Sequence, residues 1–284
     1  MAFKIKIYAA SLILLLLVAC NLPAAATPSP AIPSATAAAT PSTSPSSPPA
    51  NSEPLEAILI MQPASGSQIT FQTTVQGEAD STFEQNLVLM VVGEDGAQLA
   101  LQPTTIQSPL GERGAFSAQL PFSVSSQQPG RISVYSTSAM DGGIVHLSSA
   151  EVILLPGGSS QLFQSTTTFE SIQISAPQNA AQESGGQFQV SGYSEYYFES
   201  NLGWMLCGGG GNGPAELLCG TVDNVLASGS ITIDSPDIGQ PGPFSATISY
   251  SVTATTPARL VLYAASPRDG GLIHVSSVAL QLNP

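Results

Sequence analysis

Imidazole ligates metals and moves protons near neutral pH, so the chain's two histidines are the first residues to weigh. They are His146 and His274, and each lies in the same local phrase: Asp141-Gly142-Gly143-Ile144-Val145-His146-Leu147-Ser148-Ser149 and Asp269-Gly270-Gly271-Leu272-Ile273-His274-Val275-Ser276-Ser277. Tyr135 and Tyr263 precede the two Asp-Gly-Gly loops by the same interval. A hairpin centred near Met140 and Arg268 sets Tyr135 opposite His146 and Tyr263 opposite His274 on antiparallel strands. No second histidine or carboxylate accompanies either imidazole at ligand spacing along the chain, so these are expected to be cross-strand packing pairs, with no metal.

Cysteine chemistry is the next candidate. Cys207 and Cys219 bracket a glycine-rich segment, Gly208 to Leu218, and read as a disulfide that closes a loop. A thiol nucleophile is the rival reading, and it lacks an activating base nearby in sequence. Gly208, Gly210 and Gly213 satisfy a dinucleotide-binding glycine pattern literally, but no helix follows and cysteines flank it. The sequence has no Gly-x-Ser-x-Gly elbow, no His-Glu-x-x-His and no EF-hand loop, and its acids are scattered along loops and strand edges. Neither a catalytic residue nor a cofactor is expected.

One patch has the composition of a binding surface. Tyr193, Glu195, Tyr196 and Tyr197 replace a segment that in the first half of the chain reads Glu78-Ala79-Asp80-Ser81-Thr82, and Trp204 follows. Aromatic faces beside a carboxylate suit a sugar or a protein hot spot. Filling the core beneath a longer second half is the competing use for Phe198 and Trp204, whereas one of the adjacent Tyr196 and Tyr197 is expected to point outward.

The elements that position these residues recur. At an offset of 128, Gly114, Phe116, Arg131, Tyr135 and Asp141 to Ser149 match Gly242, Phe244, Arg259, Tyr263 and Asp269 to Ser277. Further upstream Gly77 and Phe83-Glu84-Gln85-Asn86-Leu87 match Gly192 and Phe198-Glu199-Ser200-Asn201-Leu202 at an offset of 115, so the second copy carries an insertion between Leu202 and Gly242. Phe116, Ala118, Leu120, Phe122 and Val124 alternate with polar residues, as do Phe244, Ala246, Ile248, Tyr250 and Val252. That is the period of a half-buried strand. The fold class is all-β: two tandem immunoglobulin-like β-sandwiches, residues 56–155 and 169–284, joined by a Gly/Ser-containing linker at 156–168 that is flexible by composition. The domains are expected to move unless they share an apolar interface.

Here a family resemblance enters. Gly77, Ala79, Phe83 and Glu84, the Gly-x-Phe before the long amphipathic strand, and the Asp-Gly before the last strand resemble the bacterial spore-germination immunoglobulin-like domain, Gmad2. Ser194 stands in the second copy where the first has Ala79. The resemblance implies an accessory module on extracytoplasmic lipoproteins and no enzymatic activity.

The N-terminal segment is of a different kind. Lys4 and Lys6 precede an apolar run from Ile7 to Ala19, the pattern of a secretory signal over residues 1–19, and Leu17-Val18-Ala19-Cys20 resembles the lipobox of bacterial lipoproteins. Cys20 is then the acylated membrane anchor. Residues 20–55, rich in Pro, Ala, Ser and Thr, have no periodic apolar face and read as a disordered stalk. After removal of residues 1–19, four arginines face 19 acids, a formal charge of −15. Nucleic acid is excluded as a partner, because phosphate neutralisation needs basic stripes, and acyl chains rather than a basic patch must hold the membrane. The expectation is a protein lipid-anchored on the extracytoplasmic face of the cell membrane, with an unknown envelope protein or a glycan as partner.

Overall fold

The computed structural model describes residues 54–284, Gln72 and Gly209 excepted, all within the second of the two units into which the chain divides, Met1–Pro49 and Ala50–Pro284. Cys20, the signal segment and nearly all of the stalk lie outside the described residues. No helix among the described residues is long and apolar enough to cross a membrane.

Apolar alternation becomes strands. The first domain contains β1 (Ile58–Gln62), β2 (Gln68–Ile69), β3 (Thr73–Ala79), β4 (Asn86–Val92), β5 (Gln98–Thr105), β6 (Gly114–Leu120), β7 (Gln128–Thr137) and β8 (Ile144–Leu154). In the second, β9 (Ile172–Ala176), β10 (Ala181–Glu183), β11 (Gln187–Ser194) and β12 (Asn201–Gly208) repeat the first four. A small hairpin, β13 (Ala215–Glu216) and β14 (Gly220–Thr221), interrupts before β15 (Val225–Thr232), β16 (Gly242–Ser249), β17 (Thr256–Ala265) and β18 (Leu272–Leu282) complete the repeat.

In β3, Val75 and Ala79 are buried while Gln76 and Glu78 are exposed, so one face can sit on a core. Two three-stranded sheets result, β1–β3–β6 and β16–β11–β9. The other long strands form a single sheet in the order β15–β12–β17–β18–β8–β7–β4–β5, with β2 and β10 added in parallel on β8 and β18. Each small sheet faces half of the long one. Ile58, Val75, Phe116 and Leu120 meet Leu87, Leu89, Ile132 and Val134 in the first core, and Ile172, Val190, Phe244 and Ile248 meet Leu202, Leu206, Leu260 and Leu262 in the second.

The domains are joined where β8 crosses β18. The ladder there has two register pairs, Leu147↔Val275 and His274↔Ser148. Leu147 and Val275 are equivalent residues of the two copies, so the halves are related by an approximate two-fold axis through this point. On one face they join Ile144, Val261, Leu218, Cys207 and Cys219 in a third apolar core that draws on both domains. Leu147, Val261 and Val275 are at most 1% exposed, and burying each side chain contributes about 1.5–3 kcal/mol. The domains thus share an apolar interface, the condition under which the expected mobility disappears.

Polar contacts across the interface are reciprocal. Arg131 Nη2 lies 3.2 Å from both Asp269 carboxylate oxygens, and Arg259 Nη2 lies 3.2 Å from both of Asp141. Ser149 Oγ donates to the Ile273 carbonyl and Ser277 Oγ to that of Val145, both at 2.7 Å. This is the isologous pattern of a symmetric dimer, written within one chain. Each Asp-Gly-Gly loop is shaped for it: Asp141 Oδ1 accepts the Gly143 N–H and Asp269 Oδ1 the Gly271 N–H. A Cβ on Gly143 would overlap the Leu218 carbonyl, and one on Gly271 would overlap the Arg131 guanidinium, so glycine permits the close approach. Among the described residues Arg131 Nε and Arg259 Nε find no hydrogen-bond partner, so the pairs fix docking geometry at a cost in desolvation.

The second copy's insertion is a clasp. Cys207 and Cys219 form a disulfide, as the spacing suggested, and both are fully buried, a poor position for a nucleophile. The loop it closes lies on the first domain's hairpin, where Ile144 N–H donates to the Leu217 carbonyl at 2.8 Å, and is held from its own domain by Arg259 Nη2, which donates to the Leu218 carbonyl at 2.7 Å. The linker also differs from its compositional reading. Gln161 exchanges backbone hydrogen bonds with Gln68, Ala64 N–H donates to the Phe163 carbonyl, and Ser165 N–H donates to that of Met61. It is a strap bonded along the first domain.

The cross-strand pairs require a correction. Tyr135 lies opposite Leu147 and His146 opposite Ser136, while Tyr263 lies opposite Val275 and His274 opposite Ala264. A register irregularity beside each loop, at Ser136/Thr137 and Ala264/Ala265, shifts the ladder by one residue. A one-residue shift moves a side chain to the other face. Both tyrosines pack against the interdomain core, and the histidines face the opposite way.

Three outcomes test the interface. Asp269→Asn leaves the buried Arg131 guanidinium with only the exposed Glu151 carboxylate, at 3.3 Å, as counter-charge and is expected to cost up to about 3 kcal/mol in urea unfolding, whereas Arg131→Met with Asp269→Leu costs much less than the sum of the single changes. Burial alone would raise the Asp269 pKa, but the Gly271 N–H, the Arg131 guanidinium and the Ser266 hydroxyl hold it below 3.8. The stabilisation is therefore complete above about pH 4 and lost as pH falls through the folded value, an acid-limb slope that Asp269→Asn abolishes. Reducing the disulfide opens a loop with a sequence separation of 12 and is expected to lower stability by about 3 kcal/mol in the same assay.

Candidate functional site

The histidines meet each other. On the face of the β8–β18 crossing opposite the interdomain core, His146 and His274 stand with ring centroids 5.2 Å apart and planes at 89°. Strand parity puts Ser148 and Ser276 on the same face. Glu56, just before β1, and Glu170, just before β9, close over them. His146 Nε2 lies 2.6 Å from Glu56 Oε1, and His274 Nε2 lies 2.9 Å from Glu170 Oε1. The crossed distances are longer, 3.9 Å from His146 to Glu170 and 4.0 Å from His274 to Glu56. All four side chains are at most 10% exposed.

Each carboxylate is held from both sides. Ser148 Oγ donates to Glu56 Oε1 at 2.6 Å and Ser171 N–H to Glu56 Oε2 at 3.2 Å. Ser276 Oγ donates to Glu170 Oε1 at 2.8 Å and Ala57 N–H to Glu170 Oε2 at 3.2 Å. The backbone donors are exchanged between domains, so each domain completes the other's glutamate. Burial pushes Glu170 upward, but the His274 hydrogen bond, the charges of both histidines and the Ser276 hydroxyl outweigh it and hold the carboxyl at about 2. For His274, burial disfavours the cation, and the Glu56 charge with the Glu170 hydrogen bond and charge raises its pKa in spite of that. Ion pairing overcomes desolvation at this site.

Serine, histidine and glutamate in one cluster invite comparison with a nucleophilic triad. The connectivity differs. Ser148 Oγ lies 3.5 Å from His146 Nε2, but its proton goes to Glu56, which also occupies that same nitrogen. A triad needs the serine on one ring nitrogen and the carboxylate on the other. What the arrangement offers is four converging donor atoms, two nitrogen and two oxygen, within 4.8 Å of one another. A cleft of about 490 Å³ reaches the cluster, its walls including Glu56, Ser148, Phe169, Ser171, Glu195 and His274.

The aromatic candidates are dispersed, and Phe198 is exposed rather than filling the second core. Tyr193 is exposed on β11, and Trp204 is half-buried on β12, packed against the second core opposite Gly229. Tyr196 is half-buried and Glu195 exposed, in the irregular segment after β11 rather than on a strand. Tyr197 turns inward against the second core; burial and the charges of Glu56, Glu170 and Glu195 raise its pKa, with only the Ser171 hydroxyl opposing. It thereby adjoins the histidine–glutamate cluster, and the five residues do not form one platform.

Sequence reading found both histidines and missed both glutamates. Glu56 and Glu170 stand 90 and 104 residues from the imidazoles they meet. One signal was available: Leu55-Glu56-Ala57-Ile58 aligns with Phe169-Glu170-Ser171-Ile172, extending the repeat upstream of Gly77. A glutamate doubled just ahead of each first strand would have stood out beside a doubled histidine.

Comparison with known proteins reaches the first domain. No curated protein matches the chain. Among solved structures, red sea bream transglutaminase is similar at 10% identity and a TM-score of 0.26, covering 81% of this chain and 32% of that one. Latent PorU from Porphyromonas gingivalis is similar at 10% identity and a TM-score of 0.24, covering 80% of this chain and 24% of that one. The chain thus spans about a third or less of those two proteins, and scores this low carry no argument about fold or activity. Residues 57–143, from the start of β1 to the Asp-Gly-Gly loop, match the family model of the immunoglobulin-like domain of bacterial spore germination, Gmad2. Over these residues the first sandwich is similar to a Gmad2 immunoglobulin-like domain.

Proposed function

We propose that this chain is a lipid-anchored extracytoplasmic protein whose two docked immunoglobulin-like domains act as one rigid, non-catalytic module for protein interaction in the cell envelope. The Cys20 lipobox and the Pro-rich stalk support the anchor, and the buried disulfide fits an oxidising compartment. The Gmad2 match supports an interaction module rather than an enzyme.

One observation carries the interaction reading. Phe83 and Phe198, equivalent residues of the two copies, are 59% and 57% exposed. Each leads a single 3-10 turn in which the next residue is a glutamate with positive φ, Glu84 at 54° and Glu199 at 57°. Left-handed non-glycine backbone costs free energy and concentrates at functional sites. A large apolar ring held out in solvent on such a turn, in both copies, suits an anchor for a partner's pocket. The acidic surface argues against anionic partners, since all four arginines are engaged in internal ion pairs: Arg113 with Glu78 and Asp80, and Arg131, Arg259 and Arg268 at the domain interface.

Crosslinking in cells followed by mass spectrometry checks the proposal. The wild-type chain is expected to capture a discrete envelope protein, and Cys20→Ser, which cannot be acylated, loses it. Phe83→Ser with Phe198→Ser is also expected to lose it while unfolding stability changes by no more than about 0.5 kcal/mol per site. Capture undiminished in the double phenylalanine variant would refute this face as the contact.

A further inference from the structure

We propose that Glu56, His146, Glu170 and His274 form a binding site for a divalent transition metal, zinc being the best match, at the approximate two-fold axis between the domains. The donor set is two imidazole nitrogens and two carboxylate oxygens, which zinc accepts in four-coordinate sites. A tetrahedron with bonds of about 2.0–2.1 Å separates its ligands by about 3.3 Å. The shortest nitrogen–oxygen separations, 2.6 Å from His146 to Glu56 Oε1, 2.9 Å from His274 to Glu170 Oε1, 3.9 Å from His146 to Glu170 Oε2 and 4.0 Å from His274 to Glu56 Oε1, bracket that value, and one donor atom from each residue lies within 4.8 Å of the others, so shifts of about 1 Å regularise the site.

Charge points the same way. A ligating imidazole must be neutral, so an incoming ion displaces any imidazolium proton, and the donor set of two carboxylates and two neutral imidazoles then carries a charge of −2, which one divalent cation cancels. The supports of a ligand site are already in place. Ser148 and the Ser171 N–H fix Glu56, and Ser276 and the Ala57 N–H fix Glu170, the kind of outer hydrogen bonds that orient metal-ligating carboxylates. The cleft lined by Glu56, Ser148 and His274 gives the ion a route in. Each domain supplies one histidine and one glutamate, so metal binding is linked to domain docking, and the ion would act as a structural lock.

Zinc binding by the full chain, produced without a polyhistidine tag and stripped with chelator, tests this directly. Calorimetry is expected to show one Zn²⁺ per chain, and Co²⁺ is expected to give the intense visible spectrum of a four-coordinate N/O site. His146→Ala, His274→Ala and Glu170→Gln each weaken Zn²⁺ binding by more than about 100-fold, while Ser148→Ala and Ser276→Ala, which keep every ligand, weaken it by about 10-fold. The serine variants keep the test informative where a ligand variant fails to fold. Absence of stoichiometric zinc in the wild-type chain overturns the proposal. So does wild-type affinity in folded ligand or serine variants, which would place any bound ion on other acidic groups.

Discussion

The architecture depends on a single crossing. At Leu147 and Val275 two long hairpins meet through two ladder pairs, and everything that joins the domains lies on one face or the other of that point. Toward one side the crossing buries aliphatic side chains and the disulfide; toward the other it brings two imidazoles together. Because the crossing residues are equivalent, every contact made by one hairpin tip is answered by the other. Arg131 reaches the second domain's Asp269 as Arg259 reaches the first domain's Asp141. A chain that repeats itself has here folded as a symmetric dimer folds, with covalent linkage replacing a concentration-dependent association.

Departures from symmetry are informative. The disulfide-closed hairpin belongs to the second copy and covers the first domain's Asp-Gly-Gly loop through Leu217 and Leu218, whereas the corresponding place on the other side is approached by the shorter β4–β5 turn, with Gly96 against Asp269. The strap from Gln161 to Ser165 bonds along the first domain. Both features add contacts to the interface or its flank, and both are segments whose composition reads as flexible. Glycine and serine content reports what a segment does alone, and neighbouring backbone donors decide what it does in the fold.

Neither domain contains the histidine–glutamate cluster by itself. One histidine, one serine and one glutamate would make an ordinary buried ion pair within a single sandwich. Placed on a two-fold axis, the same three residues become two imidazoles facing two carboxylates, with each glutamate capped by a backbone N–H from beyond the other domain's boundary. The Phe83 and Phe198 turns are doubled likewise but remain at the surface, so duplication produces a composite buried site in one place and paired exposed anchors in another.

Local structure was legible in the order of residues. Period-two alternation at Phe116 to Leu120 and Phe244 to Ile248 pointed to strands with one buried face, the repeat to two sandwiches, and two cysteines with no other beyond Cys20 to a disulfide, because these depend on neighbours a few residues apart or on composition. The register beside the Asp-Gly-Gly loops emerged in the folded sheet, where one extra residue moved Tyr135 and Tyr263 away from His146 and His274. Tertiary packing alone decided the docking of the domains, and with it the meeting of His146, His274, Glu56 and Glu170. Those contacts join positions about a hundred residues apart across an interface, and no periodicity within a strand encodes which face of one hairpin will lie against another.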